Sequence, residues 1–375
     1  MPSQPLPLRM NDLRRRLARR LTRVLLGAPV QLHDVPLPRA GVYRILICHM
    51  SLTLGNALLL TPLMQELEAT WPGAEIDVII RSRIARVLFG HYGGFNRAFQ
   101  LPARGVGHPL QLWRTLRDMR KLHYDLAIDP DPQSQTGRLL LRLARARFKL
   151  GFNGPKKSGH VTHAAAVPDD LRSTGQRPVY LLRHALGRVT PEQAAAGDYP
   201  VPDIRLDAAE LAWGRRTLQR MLDQPQASTG GRSKVIGIFA NATGPKWLDA
   251  AWWDTLLQAL EAALPDARLV EIVPHFGRSL LDSRYPAYYT GDLRKLASVL
   301  GSLDAHVSLD CGVMHLACAA GAPTQGIFTT THADEWGPYG PHNHVLRAHD
   351  LPPATIAREL ATLIGALPAR RLPPV

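Results

Sequence analysis

The sequence predicts an α/β protein made of two doubly wound, mostly parallel sheets in tandem. Three observations carry this expectation. Short apolar runs of strand length alternate with segments patterned as helices. The alternation starts twice, once at Tyr43 and again at Val235. And 375 residues are comfortable for two domains, each able to bury a real core.

The first alternation opens with the buried-strand run Tyr43–Cys48, followed by a loop and an apolar helix pattern over Asn56–Thr70. Glu75–Ile80 reads as a strand, Ile84–Phe89 as a helix and Arg97–Leu101 as a strand. A helix over Leu110–Leu122 leads into the strand Tyr124–Asp129, and a helix over Gly137–Ala146 precedes the strand Phe148–Phe152. Residues 188–206, rich in Pro, Ala, Asp and Gly, read as the inter-domain connection. A helix at Ala208–Leu222 follows. The second alternation then runs through strands at Val235–Ala240, Ala267–Ile272, Ala305–Leu309 and Thr324–Phe328. Its helices are at Ala251–Leu264, Leu293–Leu300, from Gly312 onward, and Ala354–Leu367. The organisation predicted is an N-terminal arm over 1–42, a first domain over 43–190 and a second over 207–375. Two such sheets place a ligand between the domains, near the carboxyl ends of the strands.

The formal net charge is +14, and half of it lies in residues 1–44, where nine arginines meet only Asp12 and Asp34, so the basicity belongs largely to the arm. Leu13, Leu17, Leu21, Val24 and Leu25 share one side of a helical wheel, with Arg15, Arg16, Arg19 and Arg23 opposite. Residues 11–27 thus predict a basic amphipathic helix, either laid on a membrane surface or packed on the body with its arginines in solvent. Arginines interrupt every apolar core that a secretory signal would need, and no run of about 18–20 apolar residues marks a membrane span. The arm lacks interleaved aromatics, which argues against nucleic acid. Cys48, Cys311 and Cys318 make neither a disulfide framework nor a zinc-ligand spacing, so a cytoplasmic location is expected.

Four segments carry candidate chemistry. In Val307–Ala317 a strand ends on Asp310 and a helix opens at Gly312. Its free N–H groups and positive dipole end suit a diphosphate, with His315 one turn in and Asp310 able to take sugar hydroxyls. The bland alternative is an Asp cap beside a packed histidine. Asn241–Trp247 follows a strand and offers Thr243 and Lys246 to a phosphate without Walker spacing. The alternative there is a solvated lysine. Ser51–Asn56 brings Gly55 to a place where a ligand could come close, or to an ordinary turn. Asp129 and Asp131, at the end of the strand beginning at Tyr124, could bind hydroxyls or act as a base, or serve as turn and cap residues.

Together these segments resemble glycosyltransferase family 9, the ADP-heptose:lipopolysaccharide heptosyltransferases. The resemblance runs from about Tyr43 to the end. Its clearest stretch is Asp310–Ala317, then Gly321–Thr324, Ile327-Phe328 and Trp336–Gly340. Leu54-Gly55, Leu59–Pro62 and Trp71–Asp77 match in the first half. The resemblance implies two facing Rossmann-like domains, the GT-B arrangement, with the acceptor on the first and the nucleotide sugar on the second. It assigns Thr243 and Lys246 to the donor phosphate loop, Asp310 to a sugar hydroxyl, and Cys311, Gly312 and His315 to the diphosphate-binding helix start. It implies inverting transfer of a sugar, heptose first, from a nucleoside diphosphate donor to a lipopolysaccharide-core or other lipid-linked acceptor. No metal or other cofactor is expected.

Three departures stand out. The family's Gly-Asp, whose aspartate is the general base, is here Gly55-Asn56, and an amide cannot take a proton. Asp129 or Asp131 is then the substitute base, with His49 next in line. A nucleotide-sugar-binding protein that has lost its base is the alternative. Cys311 replaces a usual Ser or Thr. Pro274–Pro286 is shorter and more irregular than the family's helix near the nucleoside.

Overall fold

A computed structural model describes residues 33, 35–102, 107–154, 157, 159, 161–222, 233–349 and 351–368. The amphipathic helix expected over 11–27 lies outside the described residues.

Two six-stranded, wholly parallel sheets form the body. The first contains β1 (Arg44–His49), β2 (Glu75–Ile80), β3 (Phe95–Gln100), β4 (His123–Asp129), β5 (Arg145–Phe152) and β6 (His163–Ala165), in the order β3-β2-β1-β4-β5-β6. The second contains β7 (Val235–Phe239), β8 (Arg268–Ile272), β9 (Ala287–Tyr288), β10 (Ala305–Leu309), β11 (Thr324–Phe328) and β12 (His344–Arg347). Its order, β9-β8-β7-β10-β11-β12, repeats that of the first. Each sheet reverses its winding beside its first strand, and such a switch point opens a crevice at the carboxyl ends of the strands. The central strands are buried end to end, as both faces must be where crossover helices cover them.

The helices are α1 (Leu54–Leu58), α2 (Thr61–Thr70), α3 (Ala85–Phe89), α4 (Pro109–Arg120), α5 (Gln135–Leu143), α6 (Arg177–Ala185), α7 (Ala208–Met221), α8 (Ala250–Ala263), α9 (Leu293–Leu300), α10 (Gly312–Ala319), α11 (Ala333–Trp336) and α12 (Pro353–Gly365). The helix expected over Asn56–Thr70 is two helices. Pro62 suits the first turn of the second and supplies no N–H to continue the first. The helix expected over Gly137–Ala146 stops at Leu143, because Ala144 turns extended and Arg145-Ala146 pair with β4. The strands β6, β9 and β12 and the helices α6 and α11 were not foreseen. The missed strands have two to four residues at or near sheet edges, too few to show a period. Between β8 and β9, residues 273–286 contain no helix. Buried Glu271 at the end of β8 holds this loop, accepting from Ser279 Oγ (2.5 Å) and Leu280 N (2.8 Å).

The two cores are continuous across the domain joint. Leu181 and Val179 of α6 share one apolar cluster with Leu300 of α9 and Leu316 of α10. The connection is clamped from both sides. Tyr92 donates to Asp203 O at 2.7 Å, Ile204 N to Ala319 O at 2.9 Å, and Arg294 to Ile204 O at 2.8 Å. Helix α7 starts on a capping box, with Asp207 taking Glu210 N and Glu210 taking Asp207 N.

Helix α7 then presses on α9 through Gly214. A Cβ there would lie 2.0 Å from Ser298 O, a backbone atom that cannot swing aside. Gly214→Ala should therefore lower the urea midpoint by an amount equivalent to about 1–3 kcal/mol, the usual cost of overpacking. An unchanged midpoint would show that the two helices can part freely.

Candidate active site in the inter-domain cleft

Lys246 and Asp310 come from the ends of neighbouring strands. β7 and β10 are paired, so the loops that follow them lie side by side. Gly244 adopts φ +66°, and the turn Gly244–Lys246 aims the lysine at the end of β10. Lys246 Nζ donates to Asp310 Oδ2 at 2.8 Å and to Asp310 O at 3.3 Å. Thr331, in the loop after β11, donates to the same Oδ2 at 2.6 Å. An ammonium has three protons, so the two bonds to Asp310 leave one for an anion. Thr243, exposed, precedes the turn and makes no side-chain cap bond.

Helix α10 opens at once beyond Asp310, with Cys311 as an extended N-cap residue whose side chain makes no cap bond to the helix. Its Sγ lies 3.4 Å from Ser308 Oγ. The first N–H groups of α10 and the Lys246 ammonium thus flank one point. Two positive elements converging at strand tips suit a diphosphate.

His315 does not stand free in the cleft. Its ring is buried, Nδ1 has no hydrogen-bond partner, and it packs on the backbone of Gly55 in α1. A Cβ at residue 55 would come within 2.6 Å of His315 Cδ2. Burial, with the Lys246 charge assisting and Asp310 opposing, lowers the imidazole to about 4. His315 is therefore neutral near pH 7. It can meet an anion as a hydrogen-bond donor or dipole, and not as a charge.

One residue beyond Gly55 lies Asn56. Its Nδ2 donates to Ser51 Oγ at 2.9 Å, and Ser51 is also bonded to Thr53. Asn56 and Ser51 form part of the wall of a cavity of about 250 Å³ with His49, Asp131, Thr174 and Arg177. Glu335 and Trp336 of α11 close it from the second domain, where Thr174 N bonds Glu335 O at 2.9 Å. His49, at the end of β1, is buried with Nε2 unpartnered, and burial lowers it to about 4 against the nearby Asp131.

The two aspartates of the β4 loop separate. Asp131 lines the cavity, though its Oδ1 also accepts Gln133 N (2.7 Å) and Ser134 N (3.1 Å) at the start of α5. Asp129 does not reach the cavity, contrary to the expectation that it could serve as the base. It is fully buried, 2.7 Å from Lys157 Nζ and 3.8 Å from Arg138 Nε, and covered by Gly137, where a Cβ would lie 2.2 Å from Oδ1. Burial raises its carboxyl while both cations oppose the shift. The physical reason is position: Asp129 still belongs to β4 and points into the domain, whereas Asp131 has left the sheet. Thr331, Thr174, Arg177 and Glu335 escaped the sequence reading, and Trp336 entered it only as part of the resemblance, with no place in a site. Thr331 follows a strand's carboxyl end, a signal that was available; the others are brought in by α6 and α11, which were not foreseen.

Two facing Rossmann-like domains, with a phosphate-suited helix start on one and a cavity opposite it on the other, are the GT-B arrangement. Residues 290–361, which include α9, α10 and α11, match glycosyltransferase family 9 (heptosyltransferase). Lipopolysaccharide heptosyltransferase 1 of Pseudomonas aeruginosa is 23% identical over 341 residues, 85% of this chain and 87% of that protein. Among solved structures, a family 9 glycosyl transferase of Veillonella parvula superposes with TM-score 0.66 at 16% identity, covering 89% of this chain and 93% of the other. The ADP-heptose lipopolysaccharide heptosyltransferase II of Escherichia coli does so with TM-score 0.63 at 19% identity, covering 86% and 98%. Over residues 290–361 the chain is similar to glycosyltransferase family 9.

Two outcomes follow. His49 and His315 are held neutral in the fold but would be protonated in the unfolded chain below its ordinary value of about 6.5. The unfolded chain therefore binds more protons between about pH 6.5 and 4, and stability should fall as pH falls through that window. Urea midpoints recorded from pH 7.5 to 4.5 test this, and His315→Asn should flatten the slope; an identical slope in that variant would contradict the neutral assignment. The second concerns the lysine. Lys246→Ala should weaken nucleoside-diphosphate affinity by about 1.5–3 kcal/mol, roughly tenfold to a hundredfold, for one lost charge-assisted contact. Calorimetric titration with ADP measures it, and wild-type affinity in the variant would take Lys246 out of the candidate phosphate site.

Proposed function

We propose that the chain transfers a sugar, with inversion, from an ADP-sugar to a hydroxyl of a lipopolysaccharide-core or other lipid-linked glycan at the inner face of the membrane. Heptose is the sugar favoured by the relatives, which include a P. aeruginosa lipopolysaccharide heptosyltransferase and an E. coli heptosyltransferase solved with ADP-2-deoxy-2-fluoro heptose. The observation that carries this reading is the contact of Gly55 with His315. It sets the cavity around Asn56 and Asp131 directly beside the start of α10 and Lys246, so an acceptor in one meets a donor in the other.

In this reading the acceptor oxygen attacks the anomeric carbon from the first domain while the bond to the diphosphate breaks on the side of the second. Lys246 and the N–H groups opening α10 stabilise the negative charge that develops on the leaving diphosphate, an electrostatic contribution prepared before the reaction. Asp310 fixes the ammonium and offers its remaining oxygen to a sugar hydroxyl. The acceptor proton passes to Asp131, the carboxylate on the cavity wall, and Asn56 orients the hydroxyl from its anchor on Ser51. A base in this position typically contributes about 10²–10⁴-fold. The alternative, a nucleotide-sugar-binding protein without turnover, is favoured by Asn56 alone.

With ADP-heptose and a core-oligosaccharide acceptor, Asp131→Asn should lower kcat by about 10²–10⁴-fold with donor affinity unchanged. Asn56→Asp should then add little, since a base is already present. If wild type is inert and Asn56→Asp creates turnover, the binding-protein reading holds. If turnover survives Asp131→Asn intact, the proton goes elsewhere, and His49 is the next group to replace.

A further inference from the structure

Helix α4 is the least buried long helix of the first domain. Met119 is its only buried residue, although it crosses the outer face of a six-stranded sheet. Leu110 and Trp113, about 57% and 55% exposed, stand out on it. Arg114, Arg117, Arg120 and Lys121 surround them, and Asp118 is the one acid in Pro109–Lys121. Grooves run along both flanks. One has Trp113, Leu116 and Leu143 in its wall, with Arg117, Arg120, Lys121 and Arg145 at its rim. The other, toward edge strand β3, is lined by Phe99, Leu110 and Arg114. Apolar side chains standing proud of a surface, ringed by long basic side chains, match an anionic bilayer: the rings and aliphatic groups enter the headgroup layer while the cations stay among phosphates. A nucleic acid fits less well. The Arg117 guanidinium already covers one face of the Trp113 ring at 4.9 Å, and there is no second exposed aromatic on the helix to continue a stack.

We propose that the exposed face of α4, with Trp113 and Leu110 as its inserted groups, is a docking surface for an anionic lipid bilayer. The surface lies apart from the transferase cleft, so the proposal stands or falls independently of the sugar and acceptor.

The test uses the full chain and vesicles of phosphatidylcholine with 30 mol% phosphatidylglycerol, against phosphatidylcholine alone. The arm over 1–42 contains no tryptophan, so brominated lipids quench the intrinsic fluorescence only where the body itself enters the lipid. The wild type should sediment with anionic vesicles, less so in high salt, and should be quenched. Trp113→Phe should still bind but lose that quenching. The double variant Arg117→Glu/Lys121→Glu should lose roughly tenfold or more in vesicle affinity. The replaced side chains are all at least half exposed, and a thermal midpoint equal to wild type confirms that the fold is kept. Four results would overturn the proposal: no binding, binding without quenching, quenching retained in Trp113→Phe, or undiminished binding of the charge-reversed variant. If single-stranded DNA binds in a manner lost in the charge-reversed variant while vesicles do not quench, the surface is a nucleic-acid site instead.

Discussion

The approach of the α1 backbone to the His315 ring is the constraint on which the rest of the cleft depends. Residue 55 has no room for a side chain on the face that meets the second domain. Gly312 is tight rather than closed: a Cβ there would lie 3.1 Å from Leu54 Cβ, so a neighbour would have to give by a few tenths of an ångström. A glycine on each side lets two strand-to-helix turns from different domains nest into one another. The cavity wall around Asn56 and the helix start of the second domain lie side by side because these turns are bare.

That closeness sets the electrostatics. His315 is shielded by Gly55 and stays neutral, so the positive character of the second domain's side of the cleft rests on Lys246 and the N-terminus of α10. Asp310 holds the lysine without exhausting its protons, and Thr331 fixes the aspartate in turn. In the first domain the buried Asp129 network has another task. Lys157 and Arg138 converge on one carboxylate under Gly137 and fasten the loop after β5 to the end of β4. A pair broken at such a depth would leave an uncompensated charge, which makes Asp129 a structural anchor for the loop that presents Asp131.

The surfaces divide by face. One face of the first sheet, covered by α1, α2, α3 and α6, meets the second domain; the other, under α4 and α5, looks away from it. No described helix is long and apolar enough to cross a membrane.

The sequence by itself determined the fold class. Runs such as Ile45-Leu46-Ile47 and Val235–Ala240 are apolar at every position because parallel strands are covered on both faces, and that pattern is local. The strand-to-helix turns at Gly55, Lys246 and Gly312 were legible for the same reason: each is a polar or glycine break right after an apolar run. What only the tertiary structure decided were relations between distant segments. Whether Asp129 or Asp131 faces the cavity depends on where β4 leaves the sheet, a difference of two residues that period alone cannot fix. That His315 lies under Gly55, 260 positions earlier in the chain, is a packing fact with no local signal. Glu335 and Trp336 reach the cavity of the first domain only because the domains fold face to face and α11, four residues long, sits on their joint. Local pattern carries the period of each element; the meeting of elements is set by side-chain shape and burial across the interface, which the linear order does not display.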